Sequence, residues 1–148
     1  MEYGRFARQN KERRGEGKPD TFDFLGFMFY CGMDGKKQFF RCRVKTSKKK
    51  LRSKIKAMKE WIMNHRTLPL ERIFKIVNAK LRGHYQYYGV TDNIREIESF
   101  LYVTKKLLFK WLNRRSQKRS YTWETFNNGL LNTFPLLEPS IKVSLFYR

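Results

Sequence analysis

The spacing of apolar residues changes once along this chain, and that change constrains the fold more than any other feature. Thr21 to Tyr30 reads TFDFLGFMFY, a short run dense in large apolar rings. In QFFRCRVK, Gln38 to Lys45, the residues Phe40, Cys42 and Val44 alternate with Phe39, Arg41, Arg43 and Lys45. A period of two gives a strand one apolar and one basic face, so these two runs, joined through Met33, Asp34 and Gly35, are expected to form a β-hairpin. Gly26 interrupts the first strand and marks a bulge or a close backbone approach.

From Ser47 the period becomes helical. Ser47 suits an N-cap, and Leu51, Ile55, Met58 and Ile62 form one apolar stripe. After Thr67 to Pro69 a second helix is expected, with Pro69 at its start and Leu70, Ile73, Phe74, Val77, Leu81, Tyr85 and Tyr88 facing inward. Gly89 is placed to end it. A third helix is expected to start at Asp92 or Asn93, with Glu96 completing a capping-box-like pair. Ile94, Ile97, Leu101, Leu108, Trp111 and Leu112 form its core side.

Beyond the third helix, Thr122 to Leu131 reads as a short helix with Trp123, Phe126 and Leu130 inward. Pro135 and Pro139 then impose an irregular tail, expected to pack rather than to bind. The fold class is therefore α+β, mainly α: an N-terminal β-hairpin, a three-helix bundle, and a short C-terminal helix with an irregular tail. The expected divisions are 1–20, a basic arm or linker; 21–45, the hairpin; 46–119, the helical region; and 120–148, the last helix and tail.

Charge narrows the function. Lys and Arg number 33 against 13 Asp and Glu, a net +20 that repels itself in any compact state and calls for a polyanionic partner. The excess is local: Arg41 to Arg66 holds 11 cations and one acid, Glu60, and Lys105 to Arg119 holds seven cations and no acid. A merely solvated face interleaves both signs. Phosphate contact is therefore expected from Lys48, Lys49, Lys50, Arg52, Lys56 and Lys59 on the first helix, and from Lys106, Lys110, Arg114, Arg115, Gln117, Lys118 and Arg119 around the end of the third. On the second helix Arg72, Lys75, Arg82, Gln86 and Tyr87 are the candidate contacts. These last three lie in KLRGHYQYYGV, Lys80 to Val90, where tyrosine rings sit beside cations in a pattern that suits both helix packing and stacking on nucleic acid.

Other chemistry is poorly served. The acids are scattered, no two aspartates are adjacent, and neither a phosphate-cradling glycine loop nor HExxH occurs, so no catalytic residue, cofactor or metal is expected. His65 and His84 are not spaced as metal ligands and read as ordinary polar rings. Cys31 and Cys42 fall in neighbouring predicted strands, and one such pair makes no disulfide framework, so a reduced, cytoplasmic protein is expected. No stretch approaches the roughly 18 consecutive apolar residues of a spanning helix, and the charged N-terminus has no signal-peptide pattern.

Five stretches, EYGRFA at Glu2 to Ala7, GKPDTFDFLGF at Gly17 to Phe27, SKKKLRSKIKAMKEW at Ser47 to Trp61, LRGHYQYYGV at Leu81 to Val90 and FKWLNRRSQ at Phe109 to Gln117, occur in collinear order. Together they resemble the C-terminal part of bacterial group II intron reverse transcriptase/maturases, proteins of mobile genetic elements. The resemblance implies that Phe24, Leu25, Gly26 and Phe27 correspond to the last palm block, where the family grips the primer end. It implies that Ser47 onward is the thumb and maturase-specific region, which binds intron RNA and the template–primer duplex. The family's fingers, most of its palm and its catalytic aspartate pair would lie before Met1, and the zinc-dependent endonuclease of some members has no counterpart here. The chain alone is therefore expected not to polymerise. The expected partner is group II intron RNA, with a template–primer duplex or target DNA as further candidates and no membrane. Two alternatives are a C-terminal subunit completing a split RNA-directed DNA polymerase with a separate fingers and palm polypeptide, and a generic basic structural RNA binder.

Overall fold

The computed structural model describes residues 22–33, 40–115 and 121–144. The expected basic arm, the turn through Asp34 and Gly35, and the candidate contacts Gln117, Lys118 and Arg119 lie outside the described residues. The architecture is α+β and mainly helical, with three strands followed by helices: β1 (Phe22–Phe24), β2 (Phe27–Met33), β3 (Phe40–Thr46), α1 (Lys48–His65), α2 (Leu70–Tyr88) and α3 (Ile94–Leu112).

The first apolar run is two strands, not one interrupted strand. β1 turns back on β2 through Leu25 and Gly26, with Phe24 opposite Phe27 and Phe22 opposite Phe29. Both loop residues have positive φ, 52° and 85°, the sign that a two-residue type I′ hairpin turn demands. Leucine rarely adopts such a φ, which is why the sequence signals only the glycine. β2 then pairs antiparallel with β3, with Cys31 opposite Cys42 and Phe29 opposite Val44. Val44 and Thr46 are buried while Arg43 and Lys45 remain half-exposed, as the alternation requires.

Ser47 caps α1, its side chain accepting from the Lys50 N–H at 3.2 Å. Its own N–H donates to Gly26 O at 2.8 Å, so the β1–β2 turn is pinned to the start of α1. At that spot a Cβ on Gly26 would sit 2.8 Å from the Tyr88 hydroxyl, and the close approach expected of Gly26 is thereby met.

The core combines Met58 and Ile62 of α1, Ile73, Phe74, Val77, Leu81, Tyr85 and Tyr88 of α2, and Ile97, Leu101, Leu108 and Leu112 of α3. Leu51 and Ile55 pack at its edge. The backbones of α1 and α3 approach most closely, so the lysine-rich α1 and the helix that leads into the Lys105 to Arg119 cations are direct neighbours. α2 lies beside them rather than between them, its own closest backbone contact being with α3.

α2 ends at Gly89 with φ −76°, which any residue could adopt; the glycine answers to space instead. A Cβ there would meet Tyr85 O at 2.3 Å and Ser140 O at 2.8 Å. Asn93 stands at the N-cap position of α3 but makes no cap bond. Fully buried, it accepts from Thr46 N–H at 2.7 Å and donates to Thr46 Oγ1 at 2.8 Å and Tyr88 O at 2.7 Å, tying β3 to both helix ends. The expected capping box with Glu96 gives way to this junction, because three buried partners are worth more than one helix-end amide.

After α3, Thr122 and Thr125 form a reciprocal cap on α4 (Trp123–Thr125), which runs into a π-helical turn, Phe126–Leu130, and α5 (Leu131–Thr133). Phe126 and Leu130 are buried, as their helical spacing predicts. The tail lies along α2. Asn78 brackets it, donating to Pro135 O at 3.0 Å and accepting from Leu137 N–H at 2.8 Å, and the Tyr85 hydroxyl donates to Leu137 O at 2.8 Å. Lys142 and Val143 N–H then donate to Gly89 O. Burial, followed by the nearby Glu138 carboxylate, pushes the Tyr85 phenol well above its ordinary value and keeps it a donor.

Candidate nucleic-acid interface

Lys48, Lys49, Lys50, Arg52, Lys54, Lys56 and Lys59 are all exposed, while Met58 and Ile62 of the same helix are buried. The first turn of α1 carries no acid and three lysines. Cations at a helix N-terminus oppose the dipole by about 0.3–1 kcal/mol each, so helix stability does not account for them. α3 is arranged the opposite way, with Glu96 in its first turn and Lys110 in its last.

Aromatic rings organise the cations where α1 and α3 end. Trp111 has Arg66 at 5.6 Å from its ring centre, Lys110 at 5.1 Å and Arg114 at 5.1 Å. Arg115 joins the same region by donating to Leu68 O at 3.3 Å. Trp111 was expected in the core; it is only half-buried, because its ring is the platform on which cations of both helices converge. Lys106 sits 4.1 Å over Trp123 and 5.5 Å over Tyr102, and Lys80 5.5 Å over Trp61. Each contact limits the freedom of a long side chain and leaves its charge at the surface, an arrangement suited to phosphates and stacked bases.

The candidates on α2 divide. Arg72, Lys75, Arg82 and Gln86 are exposed, but Arg82 lines a shallow depression with Asn78, Leu137 and Glu138 beside the tail. That surface is distinct from the one where Lys80 faces Lys50 and Lys54 of α1. Tyr87 is 48% exposed, yet its hydroxyl donates to Leu25 O at 2.6 Å and its ring stacks on Phe27 at 5.5 Å. It is thus committed first to holding the β1–β2 turn. Around that turn Phe24 is 58% and Leu25 67% exposed, whereas Phe27 is packed between Tyr87 and Tyr88.

Arg66 and Lys54 are residues of this candidate surface that sequence reasoning did not single out, and Lys80 is one it noted only as a cation beside the tyrosines of Lys80 to Val90. For Arg66 the available signal was its place just before a helix break, where a cation suits the C-terminal end. For Lys54 there was none without knowing which helices face each other. His65 stacks on Trp61 at 4.6 Å and its Nδ1 lies 2.8 Å from Trp61 O. Among the described residues no group of three His, Cys, Asp or Glu side chains is placed to hold a metal ion. Nor, among them, is any helix long and apolar enough to cross a membrane.

Against known proteins, the family model described as group II intron, maturase-specific domain matches residues 45–127, from the end of β3 through the three long helices to the π-helical turn. No curated protein and no solved structure matches the chain.

Proposed function

The chain belongs to the group II intron maturase-specific domain family, and on that premise we propose that it binds structured intron RNA through the cationic faces of α1 and α3 and so assists splicing. The observation that carries the RNA contact is the lysine-rich first turn of α1, where charge is held against the helix dipole and serves no helix-stabilising purpose. RNA helices present phosphates, 2′-hydroxyls and shape rather than readable base edges, and the convergence of Arg66, Lys110 and Arg114 on Trp111 suits such a surface. Nothing in this reading calls for catalysis by the chain itself.

The test is binding to a group II intron RNA and to an unrelated RNA of equal length over a salt series. If about six phosphates are neutralised, log affinity falls against log salt with a slope of about −4 to −5, and the intron RNA is preferred. A salt-insensitive affinity refutes the interface, and equal affinity for both RNAs returns the chain to a generic basic RNA binder.

A second reading rests on the exposed Phe24 and Leu25 at the tip of the β1–β2 turn: a surface that a separate fingers and palm polypeptide would cover in a split reverse transcriptase. Co-purification with such a polypeptide, and primer extension only when both are present, would establish it.

A further inference from the structure

α1 and α2 do not close on each other along their whole length. Between them, roofed by Leu25 and Gly26, opens a cavity of about 750 Å³, within the roughly 300–1,000 Å³ range of small-molecule sites. His84 and Phe100 line it, and their rings stack 3.9 Å apart. His84 is only 6% exposed, yet neither Nδ1 nor Nε2 has a hydrogen-bond partner. The buried Tyr88 hydroxyl, on the same wall, has none either. Unpaired buried polar atoms cost about 1–3 kcal/mol each, so three of them on two residues of one cavity wall point to a ligand that pairs with them as those side chains turn toward it.

The His84 ring is neutral at physiological pH, because burial and then the Lys54 ammonium hold its pKa down to about 4. A neutral imidazole offers one donor and one acceptor, and the Tyr88 hydroxyl offers either. Lys50, Lys54 and Lys80 also line the cavity, and none of its described lining residues is acidic. Gly83 supplies an independent sign. It stands inside α2 and lines the cavity, a Cβ there would meet no heavy atom within 4 Å, and glycine costs a helix about 1 kcal/mol relative to alanine. Packing within the protein does not require it, whereas a ligand entering past α2 would.

A partner with a flat, hydrogen-bonding edge and flanking negative charge fits every one of these features. We propose that this cavity takes one unstacked nucleobase of bound RNA, its edge paired with His84 and Tyr88 and its flanking phosphates held by Lys50, Lys54 and Lys80. A bare phosphate would leave the aromatic wall and the imidazole unused; a base extruded from a loop or bulge uses both. The proposal rests on the RNA-binding reading above, and adds to it a site for single-stranded RNA that adjoins the α1 face and shares Lys50 with it.

The test follows the imidazole signals of the intact chain by NMR. The chain has two histidines, and His65→Gln assigns the pair. Probes are the pentanucleotides rA5, rC5 and rU5, an abasic pentamer with the same phosphates, and a 12-base-pair RNA duplex without unpaired bases. At least one base-bearing strand should shift the His84 signals saturably, while the abasic strand and the duplex leave them in place. Gly83→Leu, which favours the helix and fills the cavity, should abolish that shift and weaken single-strand binding about tenfold, with duplex affinity changed less than twofold. Unmoved His84 signals at saturating strand, an equal response to the abasic strand, or a wild-type response from Gly83→Leu would each overturn the cavity while duplex binding persists. Binding to none of the RNAs would overturn the RNA-binding reading and the cavity together.

Discussion

α1 and α3 are neighbours of similar length, and they place their charge in opposite senses. α3 has Glu96 in its first turn and Lys110 in its last, and Lys110 and the following Arg114 lie over Trp111, so its dipole and its aromatic contacts both favour the arrangement. α1 begins with three lysines and no acid, and among the described residues no aromatic contact steadies them. A cation that stabilises the helix bearing it has a structural reason to be there. One that destabilises its helix points to a partner, and α1 is therefore the more informative half of the interface.

The contrast is broken most severely by cutting the link between the two helix starts. Asn93, at the head of α3, holds Thr46, two residues before α1, and replacing it with alanine strands the buried Thr46 N–H, removes the donor to Thr46 Oγ1 and leaves Tyr88 C=O only the Val90 N–H. Asn93→Ala should cost about 3 kcal/mol, roughly 10 °C in Tm, measured by thermal denaturation. A loss below about 1 kcal/mol would show that the helices are positioned without it.

Next in size is acid titration of His84, which lies across the cavity from α1. Besides Lys54, the titratable groups lining this space are Lys50 from α1 and Lys80, Tyr87 and Tyr88 from α2. The folded pKa, about 4, lies below the ordinary 6.5, so between these values the unfolded chain binds more protons. The stability from keeping His84 neutral is thus full above pH 6.5 and is lost as pH falls toward 4. The whole shift corresponds to about 3 kcal/mol, and screening by solvent reaching the cavity reduces it to roughly 2. Urea denaturation at pH 7 and pH 4, with His84→Phe as reference, reads it; equal pH dependence in both proteins would refute it.

The sign of the lysine effect sharpens the comparison directly. Lys48→Gln, Lys49→Gln and Lys50→Gln combined should raise stability by about 1 kcal/mol while making the RNA salt slope shallower by about 2. On α3, Lys110→Gln should lower stability by a few tenths of a kcal/mol, since it removes a favourable dipole and a ring contact, and should make the slope shallower by about 0.8. Urea melts and filter binding over a salt series separate the two. Equal signs on stability would erase the distinction between the helices.

What the sequence made legible is what depends on local period. Leu51, Ile55, Met58 and Ile62 can satisfy a helix only by facing one way, and Tyr85 and Tyr88 fall on the inward side of α2 by the same count. Ser47 caps α1 because a hydroxyl beside a helix start has an amide within reach. The hidden features depend on contacts between distant segments. Leu25 turns with φ 52° because the Gly26 carbonyl, the Ser47 amide and the Tyr87 hydroxyl fix the hairpin from outside. Asn93 has the letter of a cap and the position of a cap, and only the arrival of β3 makes it a junction. The cavity at His84 exists because two helices diverge there, and no residue spacing encodes divergence.

The strap of tail along α2 bears on the order of assembly. Its bonds from Asn78 and Tyr85 close loops of 52 to 59 residues, against a single helical turn for most bonds in the bundle. Such closures are entropically the most expensive and come late, after translation has delivered the last of the tail. The cations of the three long helices are therefore displayed before the fold is fastened, and under the proposed function RNA could be met at that stage.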